Sequence, residues 1–108
     1  MKMIKAIVRP ERSGEILVNL NEAGFPAATQ VNILGRGKQQ GLKVGDIQYD
    51  EIPKVMIMVV AEDDDVAKIT KVIETSAKTG KEGAYGDGKI FIIPVETAIT
   101  ISSGEMKL

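Results

Sequence analysis

The chain contains no cysteine, no histidine and no tryptophan, and its aromatic residues are two tyrosines and two phenylalanines. The lack of Cys excludes disulfides and thiolate metal sites. The lack of His removes the commonest general base together with the commonest transition-metal ligand. Neither sign of charge is in excess: 14 Lys and Arg stand against 15 Asp and Glu, the net charge is −1 and the pI about 5.5, which argues against a broad basic face for nucleic acid. Long apolar runs are absent too. The longest, Val55–Ala61, is far too short to cross a bilayer. No basic stretch followed by an apolar one opens the sequence, so the expectation is a cytoplasmic protein without a signal peptide or direct membrane insertion.

The 108 residues leave room for one domain with one core, and 44% hydrophobic against 27% charged residues is a globular balance rather than a disordered one. One stretch stands out, Thr79–Phe91 (TGKEGAYGDGKIF). Gly80, Gly83, Gly86 and Gly88 fall within nine residues, a density that no helix or strand interior tolerates. Bare backbone of this kind can approach a ligand closely and turn N–H groups onto an anion, and Lys89 adds a mobile positive charge. A glycine-rich connection into a strand, with Lys89 simply solvated, is the competing reading.

The remaining pattern is two strand–helix–strand units. Met1–Arg9 half-alternates as a strand and Pro10 closes it. Ile16, Leu17, Leu20 and Ala23 then form a helical stripe stopped by Gly24. Ala28–Leu34 alternates Thr29, Val31 and Ile33 against Gln30 and Asn32 and predicts a half-buried strand. Val55–Ala61 predicts a second-unit strand, and Asp63–Asp65 open a helix whose stripe is Val66, Ile69, Ile73 and Ala77, ended by Gly80. Lys89–Val95 is the fourth strand, with Pro94 pointing to an edge position, and Ala98–Ile101 predicts a short fifth. Two such units in this length predict an α+β fold, the ferredoxin-like βαββαβ sandwich.

Two features depart from the plain sandwich. Val55–Ala61 is apolar throughout and leaves no polar side for water, so the sheet face away from the helices is expected to be covered by another subunit. The strands flanking the centre are joined by about eighteen residues, GRGKQQGLKVGDIQYDEI, where a hairpin of a few would do. Loops of that length usually function; an idle excursion is the alternative.

With these features together the chain resembles the PII family of nitrogen-regulatory signal-transduction proteins, from Met1 to about Glu105. The residues that carry the resemblance are Gly35–Gly41 (GRGKQQG) and Ile52-Pro53-Lys54 at the two ends of the long loop, and Thr79-Gly80 with Gly86–Phe91 (GDGKIF). The resemblance implies a homotrimer whose single domain carries a T-loop at residues 36–52, a B-loop at 79–89 and a C-terminal segment at 98–108. ATP or ADP would occupy the clefts between subunits, and 2-oxoglutarate would join MgATP there. Nucleotide contacts implied are Ile7, Thr29, Gly35, Gly37, Lys38, Val60, Gly86, Asp87, Gly88 and Lys89. Gln39 is implied for Mg2+ and 2-oxoglutarate, and Lys54 for a 2-oxoglutarate carboxylate. Read without the family, Lys54 is an ordinary lysine at a strand start.

The family's C-terminal arginine pair is replaced here by Thr100 and Ser102, which implies weaker triphosphate binding unless Arg36 or Lys81 compensates. Tyr49 lies two residues from the position of the tyrosine that other members modify. The short T-loop, the B-loop enlarged around Ala84-Tyr85, and Pro94 most resemble the nitrogenase-associated (NifI-type) subclass. That analogy implies nitrogenase as the target, a paralogous PII subunit as a partner, and target contacts from Lys43, Asp46, Tyr49, Asp50 and Glu51. Rival readings are a PII regulator of an ammonium transporter or glutamine synthetase, and a ligand-free structural trimer. An enzyme of this fold such as an acylphosphatase would need a phosphate cradle after the first strand, and Val8-Arg9-Pro10 offers none. No catalytic residue is expected. An RNA-binding module would need stacking aromatics on the central strand.

Overall fold

Strand β1 (Lys2–Val8) places every second residue, Ile4, Ala6 and Val8, in the core, and leaves Met3, Lys5 and Ile7 half-buried on the opposite face. The computed structural model describes residues 1–36, 42–44, 47–49 and 51–108, and for 42–44 and 47–49 the backbone alone. After β1 come α1 (Pro10–Glu22), β2 (Thr29–Gly35), the short strands β3 (Leu42–Val44) and β4 (Ile47–Tyr49), and β5 (Ile52–Ala61). A 3-10 turn at Asp63–Asp65, α2 (Val66–Ala77) and β6 (Gly88–Pro94) follow. The four long strands form one antiparallel sheet in the order β2-β5-β1-β6, and β3 pairs separately with β4. This is the expected βαββαβ sandwich, with β1 and β5 central.

Both helices pack on one face of the sheet, α1 against β5 and α2 against β1. Their apolar stripes meet the alternating sheet residues, so Ile16, Leu20, Ile69 and Ile73 pack with Ile4, Val8, Ile57 and Val59 in one core. The first helix begins at Pro10, whose missing N–H costs nothing at that position. It ends at Glu22, with Gly24 at φ 96° just beyond its cap. Two polar groups are buried between or beneath the helices. Ser13 Oγ donates to the Pro10 carbonyl, and Asn19 Nδ2 donates to Ser76 Oγ across the helix pair, so neither is left unpartnered.

Several expectations need correction. Ala98–Ile101 is not a strand. β6 stops at Pro94, and Thr100 closes a turn in which its N–H donates to the Glu105 carbonyl and its own carbonyl accepts from Gly104 N–H. Strand β2 is not half-buried within one copy: apart from Ile33 and Gly35 its residues are exposed, because the helices cover the two central strands and stop short of the edge. The second helix ends at Ala77 rather than Gly80, and Asp63–Asp65 form a separate turn before it. Ala23 is the cap of α1 and not part of its buried stripe. The loop joining β2 to β5 is not wholly irregular, since β3 and β4 pair within it, Leu42 opposite Tyr49 and Val44 opposite Ile47.

The uninterrupted apolar run in β5 divides between two faces. Val55, Ile57, Val59 and Ala61 are buried under the helices, whereas Met56, Met58 and Val60 lie on the far face. Register aligns Met3 with Val60 and Ile93, and Ile7 with Met56, so that face is apolar across three strands. Ile57 is fully buried, so Ile57→Ala should lower unfolding free energy by about 2–5 kcal/mol. Val18→Ala, on the exposed side of α1, should stay within about 0.5 kcal/mol. Urea unfolding followed by circular dichroism measures both.

Candidate functional site

The glycine-rich stretch folds as a loop over one end of the sheet, where β1 hands over to α1. Its centre is the Asp87 carboxylate. Oδ1 accepts from Thr79 Oγ1 at 2.6 Å and from Arg9 Nε at 3.0 Å; Oδ2 accepts from Ala84 N–H at 2.7 Å and from Thr79 N–H at 3.0 Å. Partial burial pushes the carboxyl pKa up, but the Thr79 hydroxyl, the Thr79 and Ala84 amides and Arg9 outweigh it and hold the group well below the usual carboxylate range. The aspartate therefore stays ionised and gathers both ends of the loop around one negative charge.

Gly80, Gly83, Gly86 and Gly88 all adopt positive φ, as the density of glycine demands. At Gly88 the requirement is also steric. Its φ is 119°, and a Cβ there would sit 1.8 Å from the Ile7 carbonyl oxygen, because β6 starts at this residue pressed against β1. The loop thus enters the sheet through a position that only glycine fills.

Beside this loop lies a cavity of about 580 Å³ bounded by Ile7, Ile33, Gly35, Arg36, Lys54, Gly86, Gly88 and Lys89, with Leu34, Ile52, Tyr85 and Phe91 completing the wall. Cross-strand register explains the assembly. Ile7 pairs with Lys89 on β6 and Ile33 with Lys54 on β5, so these side chains share the sheet face that the helices leave open. Lys54 Nζ donates to the Gly86 carbonyl at 2.8 Å and so joins the central strand to the loop. Three cationic side chains and a glycine-rich backbone thus meet in one apolar-walled cavity, an arrangement whose chemistry suits an anion.

Of the residues singled out from sequence, Ile7, Gly35, Lys54, Gly86, Gly88 and Lys89 line this cavity. Asp87 adjoins it with its carboxylate turned into the loop. Thr29 and Val60 lie on the same sheet face further along β2 and β5, outside the lining. Arg36, considered as a substitute for the absent arginines, is in the wall, whereas Lys81 is not. Thr100 and Ser102 are exposed in the C-terminal turn and do not reach the cavity of their own copy. Gly37, Lys38, Gln39, Asp46 and Asp50 fall outside the described residues, as do the side chains of Lys43 and Tyr49; Glu51 is exposed. Sequence reasoning gave Arg9 no place in the site and named Thr79 only as the start of the loop, because their contacts with Asp87 leave no mark in periodicity.

Because Asp87 is ionised when folded and its pKa is depressed, its stabilisation is complete above the unfolded value of about 3.9 and is lost as pH falls below it. Asp87→Asn should cost about 1–3 kcal/mol at pH 7 and flatten the loss of stability below pH ~4, as read from urea midpoints at a series of pH values. Gly88→Ala should destabilise by more than about 1 kcal/mol, since neither its backbone nor the space admits a methyl group.

Residues 1–105 match the family described as Nitrogen regulatory protein P-II. The chain is 52% identical over 105 residues to the nitrogen fixation nifHD region GlnB-like protein 1 of Methanothermococcus thermolithotrophicus, covering 97% of each. It is 51% identical over 108 residues to the nifHD2 region GlnB-like protein 1 of Methanosarcina barkeri, covering all of both. A nifHD region glnB-like protein 2 of Methanococcus maripaludis is 38% identical, with 97% of this chain and 95% of that one covered. A full-length family match, relatives at about half identity and the open-faced βαββαβ sheet with its glycine loop converge on one assignment: the chain belongs to the P-II family of nitrogen regulatory proteins.

Proposed function

We propose that this protein senses nitrogen status by binding ATP or ADP, and 2-oxoglutarate with MgATP, at clefts between three copies of the chain, and that it regulates a nitrogen-fixation target through the 36–52 loop. The observation that carries the reading is the cavity in which Lys54, Lys89 and Arg36 face Gly86 and Gly88. A polyphosphate needs cations and close-approaching backbone, and both are present. The base would lie along the open sheet face towards Ile7, Thr29 and Val60. Arg36 and Lys89 would act on the phosphates, and Lys54 on a dicarboxylate. Gln39 would help hold the magnesium ion, which would offset the repulsion between phosphate and carboxylate. Asp87 serves the site by shaping the loop, leaving backbone amides to meet the phosphates.

The apolar face built from Met3, Ile7, Met56, Met58 and Val60 supports association of copies, because no helix among the described residues covers it. A closed homotrimer would bury that face and set the cavity at each subunit junction. The similarity to GlnB-like proteins named for nifHD regions points to nitrogenase as the regulated enzyme, inhibited when nitrogen is sufficient, with a second GlnB-like protein as a partner. Lys43, Asp46, Tyr49, Asp50 and Glu51 would then form the docking surface.

Isothermal titration with ADP, with MgATP, and with MgATP plus 2-oxoglutarate tests the sensor reading; silence in all three would leave a scaffold. Lys54→Ala should abolish the 2-oxoglutarate response while leaving ADP binding mostly intact; equal loss of both would remove the role given to Lys54. Lys89→Ala should weaken every nucleotide roughly tenfold or more, through loss of a charge-assisted contact. Light scattering at micromolar concentration should give the mass of three chains; a monomer would remove the intersubunit cleft.

A further inference from the structure

Arg9 does not line the cavity, yet it grips the loop that does. Its Nε donates to Asp87 Oδ1 at 3.0 Å and its Nη2 donates to the Tyr85 carbonyl at 2.8 Å, contacts that span 78 and 76 residues of sequence. The other Asp87 contacts, to Thr79 and Ala84, are internal to the loop. They fold it but do not fix it to the sheet. Lys54 reaches Gly86 from β5, with a single bond to a neutral carbonyl at the end of a flexible four-carbon stem.

Arg9 is itself set on a rigid corner. It follows the buried Val8 and is the cap of α1, with φ −64° and ψ 138°, the extended geometry required before proline. Pro10 fixes the next φ. The planar guanidinium fork can serve a carboxylate and a carbonyl together, which a lysine ammonium at this spacing cannot do as well. Its two acceptors bracket Gly86 on both sides. The Arg9 side chain is 29% exposed and the Asp87 side chain 18%, so the pair is partly shielded from water.

We propose that Arg9 is a positioning residue for the anion cavity: without touching the ligand, it fixes the Tyr85–Asp87 stretch and hence sets the Gly86 and Gly88 backbone against Lys89. This rests on the nucleotide-binding reading. The residue belongs to the β1–α1 corner, whose lack of a phosphate cradle of its own spoke against acylphosphatase chemistry. It contributes instead by bracing a cradle supplied from the other half of the chain.

The test uses the full chain as wild type, Arg9→Lys and Arg9→Ala. Amide exchange is followed at Thr79, Ala84 and Asp87 without ligand, since each of these N–H groups donates within the loop. ADP affinity is measured in parallel. Both variants should exchange these amides about tenfold faster while Ile4 and Ile57 in the core keep their protection, and both should bind ADP roughly tenfold to a hundredfold more weakly. Full recovery of ADP affinity in Arg9→Lys would overturn the proposal, because charge alone would then suffice. Unchanged loop exchange in Arg9→Ala, with normal ADP uptake by the wild type, would overturn it while leaving the nucleotide reading intact. No ADP uptake by the wild type would overturn the nucleotide reading, and the positioning role with it.

Discussion

The central strands are apolar on both faces, and the chain has helices enough for one. That mismatch governs the molecule. Val55, Ile57, Val59 and Ala61 are satisfied by α1 and α2, while Met56, Met58 and Val60 look the other way with Met3 and Ile7 beside them. A sheet wet on one side would alternate polar and apolar residues along each strand. Here Lys5, opposite Met58 and Phe91, is the one charged side chain in the middle of the open face among the described residues. Burying such a surface against other copies is worth roughly 25 cal/mol per Å² before the cost of association. In such an assembly the edges of the sheet, where the lysines and the glycine loop sit, would become junctions.

The chemistry available to the cavity follows from what the chain does not contain. With neither His nor Cys, the cavity is built from lysine and arginine side chains and from backbone held by glycine geometry. Such equipment recognises anions by complementarity. It suits a receptor whose output is a change of shape, and a carboxylate locked in its ionised form at Asp87 fits that pattern.

Much of this was legible in the sequence because it rests on local rules. Period-2 and period-3.6 patterns located β1, both helices and β5, and Pro94 marked β6 as an edge. The glycine density located the loop, and the apolar run in β5 exposed the uncovered face. Pro53 would have argued against starting β5 at Ile52, but it pairs with Leu34 beyond the end of β1, where that strand has a neighbour on one side. What local rules do not carry is contact between distant residues. The Arg9–Asp87 pair, the Asn19–Ser76 bond and the Lys54–Gly86 bond join segments decades of residues apart. The end of the chain failed for another reason: β-branched residues at Ile99, Thr100 and Ile101 suggested a strand, but the backbone bonds of Thr100 are taken by its own turn.

The bond from Lys54 to the Gly86 carbonyl has a further consequence. A lysine side chain free in solvent loses about 2 kcal/mol of rotamer entropy when a ligand pins it. Here much of that ordering has already happened, and an ammonium with one hydrogen given to Gly86 still has two to offer. The loop therefore fixes the direction of the lysine side chain from across the fold. Lengthening or shortening the loop would move the carbonyl that holds it, so a change in the loop would be felt as a displaced cation on β5.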